Sequence, residues 1–397
     1  MEKNNTLSIK INAQLKTSNQ QASYDVLIVG QGLAGSVLAF SLMQQGQKVL
    51  VIDKEPNTSS SKVAAGLCNP VVFKRLTKSW KINELLPIAK AFYQNQEKLL
   101  GGQFYFDIPL YKLFANEEEQ TFWQQKSNDP DLFDWIDHVV EFPFDKNHLS
   151  YPFGAAKTLQ SGFLRTAHWL SAFKSYLENQ NAYFNAKFDY KDIVFQKEGI
   201  KWKGINARKI IFCEGYQSIN NPYFDDLPFK LTKGELLTVR FKNLKLNHAI
   251  NKGVFVLPSD GNYKLGATYN WEELDENPTK EGKEQLLKRA ARFINDEMEV
   301  IAHKAGVRPT VADRKPLLGE HSKHKNLFIF NGLGTKGVML APYFAKQMLN
   351  ILQNGINEYN AGNYTQAIGD LAKELEAKII VLANSVQGKS LTGRLSA

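Results

Sequence analysis

Three glycines and one acid have the types and spacing to do recognisable chemistry. Gly30, Gly32 and Gly35 stand at GxGxxG spacing, Ala39 and Gly46 follow, and the next apolar run ends on Asp53. Each position has a task if a strand enters the glycines and a helix leaves them. Gly30 permits the tight turn. Gly32, lacking a Cβ, lets a pyrophosphate approach the amides of the first helical turn, Leu33 and Ala34 among them, where the helix dipole favours negative charge. Gly35 and Ala39 let the helix lie close to the sheet, and Asp53 can accept hydrogen bonds from a ribose diol. The set points to a dinucleotide, against the plainer alternative of a glycine-rich turn that only packs. By itself it leaves FAD and NAD both open.

A second glycine-rich turn bears on that choice. "NGLGTKGVMLAP" (331–342) follows an apolar run and opens a helical pattern. Gly332, Gly334 and Gly337, with Thr335 between them, allow close approach to a helix N-terminus, whose amides suit the negative edge of a reduced isoalloxazine ring. Lys336 would add a full positive charge there, or else face solvent. This favours FAD. A third stretch, "AGVRPTVADRKPLLGE" (305–320), places Arg308 among small, apolar and proline residues. A permanent charge in such company is costly unless an anion meets it. A substrate carboxylate is one candidate partner; Asp313 and Glu320 are the internal ones.

The elements that must position these residues are partly readable. "YDVLIVG" (24–30) reads as a buried parallel strand, Ala34–Gln45 as a helix ended by Gly46, and "KVLVID" (48–53) as a second strand, together a βαβ unit. "GFLRTAHWLSAFKSYLENQ" (162–180) reads as an amphipathic helix and "RKIIFCEG" (208–215) as another buried strand. Between 230 and 270, "ELLTVRF", "GVFVLP" and "YKLGATY" alternate with turn residues and suggest an antiparallel sheet. A helix follows near "KEQLLKRAARFI", then the strand "NLFIFNG" and a helix through "LAPYFAKQMLNIL". No internal repeat is visible.

The 397 residues suit about two to three domains, and 43% hydrophobic with 22% charged residues is an ordinary globular balance. No window reaches the roughly 18 consecutive apolar residues that a membrane span needs. The polar N-terminal segment lacks the apolar region of a secretory signal. Two cysteines and seven scattered histidines form no metal-ligand pattern. These features predict a reduced, cytoplasmic setting and no metal. The net charge of +9 fits an acidic partner such as nucleic acid, but the lysines are dispersed among glutamates, as on a solvated surface.

The stretches "VLIVGQGLAGSVLAFSLMQQGQKVLVID", "SSSKVAAGLCNP", "RKIIFCEGYQS", "LTKGELLTV", "YKLGAT", "AGVRPTVADRKPLLGE" and "LFIFNGLGTKGVMLAP" occur in an order that resembles the D-amino-acid oxidase-like flavoprotein family, which includes glycine oxidase and sarcosine oxidase. The resemblance implies an α/β chain (α+β overall), with a Rossmann-like FAD-binding domain and an antiparallel-sheet substrate domain. It places the first at 24–75, 151–216 and 306–355, and the second at 76–150 and 217–305. Residues 1–23 are then an N-terminal tail, and 356–397 a segment without a readable role. It implies non-covalent FAD, with Lys54, Ala65, Gly66 and Gly215 joining the glycine turns as cofactor-binding candidates. It further implies oxidation of the C–N bond of a small amino acid or N-substituted glycine by hydride transfer to flavin N5. Arg308 would clamp the substrate carboxylate, and oxygen or a carrier would accept the electrons.

This chain departs from the family at three places. Phe255 stands where members often have tyrosine over the substrate, Thr335 lies near the place of a second arginine, and Glu214 occupies a position usually small. "AAGLCNPVV" and "SGFLRTAHWL" also look similar to the flavin domain of the bifunctional tRNA wobble-uridine modification enzyme. That likeness implies the same C–N oxidation with tRNA as partner. A flavin-binding protein without turnover is the remaining alternative.

Overall fold

The computed structural model describes residues 23–55, 58–140 and 146–354. The expected tail, apart from Ser23, and the expected C-terminal segment lie outside the described residues. The chain opens with β1 (Ser23–Val29), α1 (Leu33–Gln44) and β2 (Val49–Asp53). β1 and β2 run parallel, with Val26 opposite Val49 and Val29 opposite Ile52. Their Val, Leu and Ile residues are buried on both faces, as a parallel strand covered by helices requires. α1 is buried almost throughout Leu33–Ala39 because the Gly337–Asn354 helix packs across its outer side. Gly46, at φ +75°, ends it in the left-handed conformation that glycine adopts without strain.

The first sheet runs in the order Tyr183–Asn185, β2, β1, Ile205–Phe212, Ile200–Trp202 and Ile193–Phe195. The second half of Ile205–Phe212 also pairs in parallel with Leu327–Asn331, Ile210 lying opposite Leu327. The strands that carry the two glycine-rich turns therefore flank one common strand, and both turns open at the same end of the sheet.

The second sheet is ordered Met298–Arg308, Thr232–Phe241, Asn262–Gly266, Phe255–Ser259, Ala249–Asn251, Leu110–Leu113, Ala155–Thr158 and Ile136–Val140. All its pairings are antiparallel except that of Ala249–Asn251 with Leu110–Leu113. The Lys280–Ala290 helix buries Leu286 and Ala290 against Leu237, Val239 and Leu265 on one face. The two sheets meet where Ser60–Val63 packs on the Met298–Arg308 strand. A Cβ on Gly306 would come within 3.0 Å of the Ser60 Cα, so glycine permits this close approach.

Three expectations are met differently. Gly162–Leu164 is a short strand, and the helix runs only over Thr166–Asn179. Gly162 and Phe163 pair on one side with Cys68 and Leu67 and on the other with Asp107 and Phe106, and that pairing outweighs the helical spacing. Ala155–Thr158 falls in the stretch expected for the nucleotide half but pairs with Leu110–Leu113 in the second sheet. The Ile82–Leu100 helix, expected with the substrate half, packs against Gly337–Asn354, and the Tyr93 hydroxyl donates to the Val338 carbonyl at 3.0 Å. No helix among the described residues is long and apolar enough to cross a membrane.

Candidate active site

A cavity of about 660 Å³ lies between the two sheets and is lined by both glycine-rich turns and by the Arg308 end of the second sheet. Of the candidates read from the sequence, Gly30, Gly32, Leu33, Ala34, Asp53, Lys54, Ala65, Gly66, Gly215, Phe255, Arg308, Gly334, Thr335, Lys336 and Gly337 line it. Gly35 and Gly332 do not. A Cβ on Gly35 would sit 1.9 Å from the Gly30 carbonyl oxygen, and one on Gly332 would sit 2.7 Å from Val311 Cγ2. Packing, not contact with a ligand, accounts for glycine at these two positions.

At the β1 end, Gly30 has φ +104°, and a Cβ there would meet the Cys213 carbonyl oxygen at 2.5 Å. α1 starts at Gly32 with no side-chain cap and no acid in its first turn, so the positive end of the helix points into the cavity uncompensated. The Leu33 N–H donates to Ser61 Oγ at 3.1 Å. Asp53 accepts the Gln31 and Glu55 N–H groups, each at 2.6 Å, which fastens the turn to the end of β2. A carboxylate has about four lone-pair sites, so acceptor capacity remains. A helix start without an acid in its first turn, a bare Gly32 and an acid at the neighbouring strand end fit the pyrophosphate and ribose of a dinucleotide.

Sequence reading found no use for Glu214, yet it lines this part of the cavity. Its oxygens accept from the Tyr190 hydroxyl at 2.6 Å and from the Asn221 amide at 2.8 Å. Burial nevertheless outweighs these donors and pushes its carboxyl up to about 7. Its partners, 24 residues before it and seven after it, carry no motif. Only the acid at a position beside Gly215 was a signal.

Around the second turn, Gly334 has φ +55°, and the Gly337–Asn354 helix starts directly after it. Lys336 is not a solvent-facing turn residue: its ammonium donates to the Ser79 hydroxyl. Burial, aided by the charge of Arg314, brings it down to about 8.

Arg308 ends an 11-residue strand opposite Thr232. Its guanidinium lies over Gly234, where a Cβ would be 1.9 Å from Nη2. Nη1 donates to the Lys233 carbonyl at 3.3 Å, and both terminal nitrogens reach the Thr268 carbonyl at 3.4 Å. The Tyr269 ring covers it at 4.7 Å. Burial lowers the guanidinium from its ordinary value, opposed by the Tyr269 phenol. Among the described residues no carboxylate forms an ion pair with it. Glu320 meets Lys325 at 3.2 Å and the Asn326 N–H at 3.1 Å, and Asp313 accepts the Lys315 N–H at 3.0 Å. Phe255 adds an apolar wall to the cavity and packs on Gly266, where a Cβ would meet its ring at 3.0 Å.

A dinucleotide crevice at the end of a parallel sheet, facing a half-buried arginine on an antiparallel one, is the arrangement of a flavoprotein-type oxidoreductase. The family model described as DAO, FAD dependent oxidoreductase, matches residues 25–350, and the chain belongs to that family. Glycine oxidase of Geobacillus kaustophilus is 23% identical over 381 residues, covering 88% of this chain and 99% of the relative. The tRNA 5-methylaminomethyl-2-thiouridine biosynthesis bifunctional protein MnmC of Idiomarina loihiensis is 22% identical over 345 residues; the match covers 81% of this chain but only 54% of that relative. Among solved structures, glycine oxidase from Geobacillus kaustophilus superposes with a TM-score of 0.70 at 21% identity, covering 86% of this chain and 97% of the other. Iminodiacetate oxidase from Chelativorans sp. BNC1 also reaches 0.70, at 17% identity, covering 85% and 98%. The protein is an FAD-dependent oxidoreductase with a Rossmann-like fold.

Proposed function

We propose that the chain oxidises the C–N bond of a small amino acid or N-substituted glycine. The observation that carries this reading is Arg308, a guanidinium on the wall of the shared cavity with no carboxylate partner of its own among the described residues. Its forked donors match a substrate carboxylate in bidentate fashion and would fix the α-carbon relative to the rest of the cavity. Bound FAD supplies the two-electron acceptor. The chain's own residues hold the dinucleotide at Gly30–Ala34 and Asp53, bring the Gly334–Gly337 amides and Lys336 to the second turn, and exclude water with Phe255. The names of the similar proteins, glycine oxidase and iminodiacetate oxidase, support a carboxylated amine. FAD is held non-covalently in this reading, since no cysteine follows Arg308. Anaerobic mixing with a panel of N-alkyl glycines and D-amino acids tests it, and bleaching of the flavin by none of them would refute it. Reoxidation by air or by an added carrier then identifies the electron acceptor.

A second reading gives the same chemistry a tRNA substrate. It draws on the MnmC match and on a basic aromatic patch: Trp80 is 40% exposed, with the Lys81 and Lys315 ammonium groups 5.9 and 5.4 Å from its ring. Phosphate contacts release counterions, so this reading requires tRNA binding that weakens steeply with salt. Absence of binding at low salt removes it.

A further inference from the structure

Beside the first glycine turn, the cavity wall carries an acid that none of these roles uses. A Cβ on Gly30 would come within 3.4 Å of the Glu214 Cα, so this residue abuts the turn that faces the pyrophosphate. Glu214 and Tyr190 both line the cavity, whereas Asn221 is fully buried. A carboxylate repels an anionic ligand, so the proton on Glu214 decides how well this wall receives one. No cation pairs with it among the described residues, and Lys187, earlier in the Tyr190 loop, is exposed. Burial, with the Glu214 charge added, raises both the Tyr190 phenol and the neighbouring Cys213 thiol. Glu214 is therefore the group of the three that titrates near neutrality.

The surrounding hydrogen bonds fix where that proton sits. Asn221 Oδ1 accepts the Tyr223 N–H at 3.0 Å, so its amide presents Nδ2 to Glu214. Glu214 Oε2 accepts from Asn221 at 2.8 Å, and Oε1, 2.6 Å from the Tyr190 oxygen, is the atom whose proton would find an acceptor. While Glu214 is ionised, the Tyr190 O–H is committed to it, and the phenol offers the cavity lone pairs alone. Once Oε1 is protonated it donates to Tyr190, whose own O–H is then free to turn toward the cavity. The loop that carries Tyr190 is held in place: Phe188 stacks on Trp202 at 4.8 Å, and the Trp202 N–H donates to the Asp189 carbonyl at 3.0 Å.

We propose that Glu214 and Tyr190 form a hydrogen-bond relay for the cofactor: FAD is held by the form in which Glu214 keeps its proton and donates it to Tyr190, and the freed Tyr190 O–H donates to an acceptor oxygen of the dinucleotide. The proton comes from solvent, and no covalent bond of the cofactor changes. Glu214 titrates near 7 before the cofactor binds. Above that pH the free protein is mostly ionised and the complex is protonated, so FAD binding takes up a proton and affinity falls as pH rises. The relay concerns the cofactor alone and is independent of the Arg308 reading.

Dissociation constants for FAD at pH 6 and 8, read from flavin fluorescence as the holoprotein is diluted, test the relay. The protonated fraction of a group that titrates near 7 falls about tenfold between them, so the native constant should rise about tenfold. Lys336 loses its charge near pH 8 at the second turn, so the diagnostic comparison is with Glu214→Gln, in which Lys336 is unchanged. Glutamine donates to Tyr190 at either pH. This variant should match the native constant at pH 6 and bind about tenfold more tightly than the native protein at pH 8. Tyr190→Phe keeps the acid but removes the relay, and its constant at pH 6 should lie about fivefold above native. An acid that only braces the fold would shift the constants equally at both pH values. A Glu214→Gln profile parallel to the native one, or an unchanged pH 6 constant in Tyr190→Phe, overturns the proposal. If Glu214→Gln fails to fold, Tyr190→Phe decides it alone.

Discussion

The Arg308 guanidinium occupies the space that a side chain at residue 234 would fill: a Cβ on Gly234 would lie 1.9 Å from Nη2 and 2.2 Å from Cζ. The two residues sit on adjacent strands, Gly234 opposite Gly306 and Thr232 opposite Arg308. Glycine here is a condition for the pose of the arginine. Gly234→Ala should therefore displace the guanidinium and raise KM for carboxylated amines, while FAD affinity, set at the other end of the cavity, stays near the native value. A cofactor titration beside steady-state kinetics checks this; an unchanged KM would mean that the guanidinium takes no part in binding.

Arg308→Ala tests the same site from the other partner. A hydrogen bond to a charged group contributes about 1.5–3 kcal/mol, so losing the fork should raise KM by at least about tenfold. Arg308→Lys should restore little of this, because an ammonium cannot reproduce two parallel donors. Comparing KM for sarcosine in the three proteins decides it.

Lys336 gives a prediction with a definite pH sense. Its ammonium loses its proton near pH 8 instead of near 10.5, because it is buried and Arg314 is close. A positive charge beside the bound cofactor favours the reduced form. Lys336→Met should thus lower the midpoint potential of bound FAD by more than about 30 mV, which is 1.4 kcal/mol for a two-electron couple. The gap between native and variant proteins should shrink as pH rises through about 8. Dye-equilibration potentials at pH 7 and 9 check both statements, and Lys336→Arg, charged at both, should match the native potential at pH 7 and lie above it at pH 9.

How much of this was legible in the sequence follows from how local each signal is. The β1–α1–β2 unit declares itself because glycine spacing, apolar periodicity and the closing Asp53 all fall in one short stretch. Arg308 was legible as a charge in apolar surroundings. Its answer was not, because the Gly234 clearance and the Tyr269 cover come from one other strand and a loop. The Glu214–Tyr190–Asn221 cluster has no sequence pattern at all, since hydrogen-bond partners need only meet in space. At 162–164 the apolar spacing suited helix and strand alike, and pairing with two neighbouring strands decided between them.

Glu214 itself should leave a mark on stability. Its carboxyl titrates near 7 in the folded chain, against 4.5 when unperturbed. Between those values the unfolded chain has released the proton and the folded chain keeps it. The folded state binds more protons, so stability falls as pH rises from about 4.5 to about 7 and is unaffected by this group beyond. The upper bound is about 3 kcal/mol, from 1.36 kcal/mol per pKa unit. Glu214→Gln mimics the protonated acid, donating to Tyr190 and accepting from Asn221. It should remove that fall, and urea unfolding at pH 5 and 7.5 measures it. An identical slope in both proteins would show that the carboxyl ionises normally.

Gly32 and Gly35 belong to one motif but have separable duties. A Cβ at residue 35 would lie 1.9 Å from the Gly30 carbonyl, and backbone cannot yield as a side chain can. At residue 32 the nearest atom is the Ser61 hydroxyl at 3.2 Å, and φ −81°, ψ −168° is open to alanine. Gly35→Ala should therefore destabilise the protein whether or not FAD is bound, by about 1–3 kcal/mol as overpacked sites do. Gly32→Ala should leave the stability of the apoprotein close to native and weaken FAD binding, because its methyl group would occupy the approach to the first-turn amides. Urea unfolding of the apoproteins and fluorescence titration with FAD separate the two effects. An apoprotein destabilised equally by both changes would show that Gly32, too, is needed only for packing.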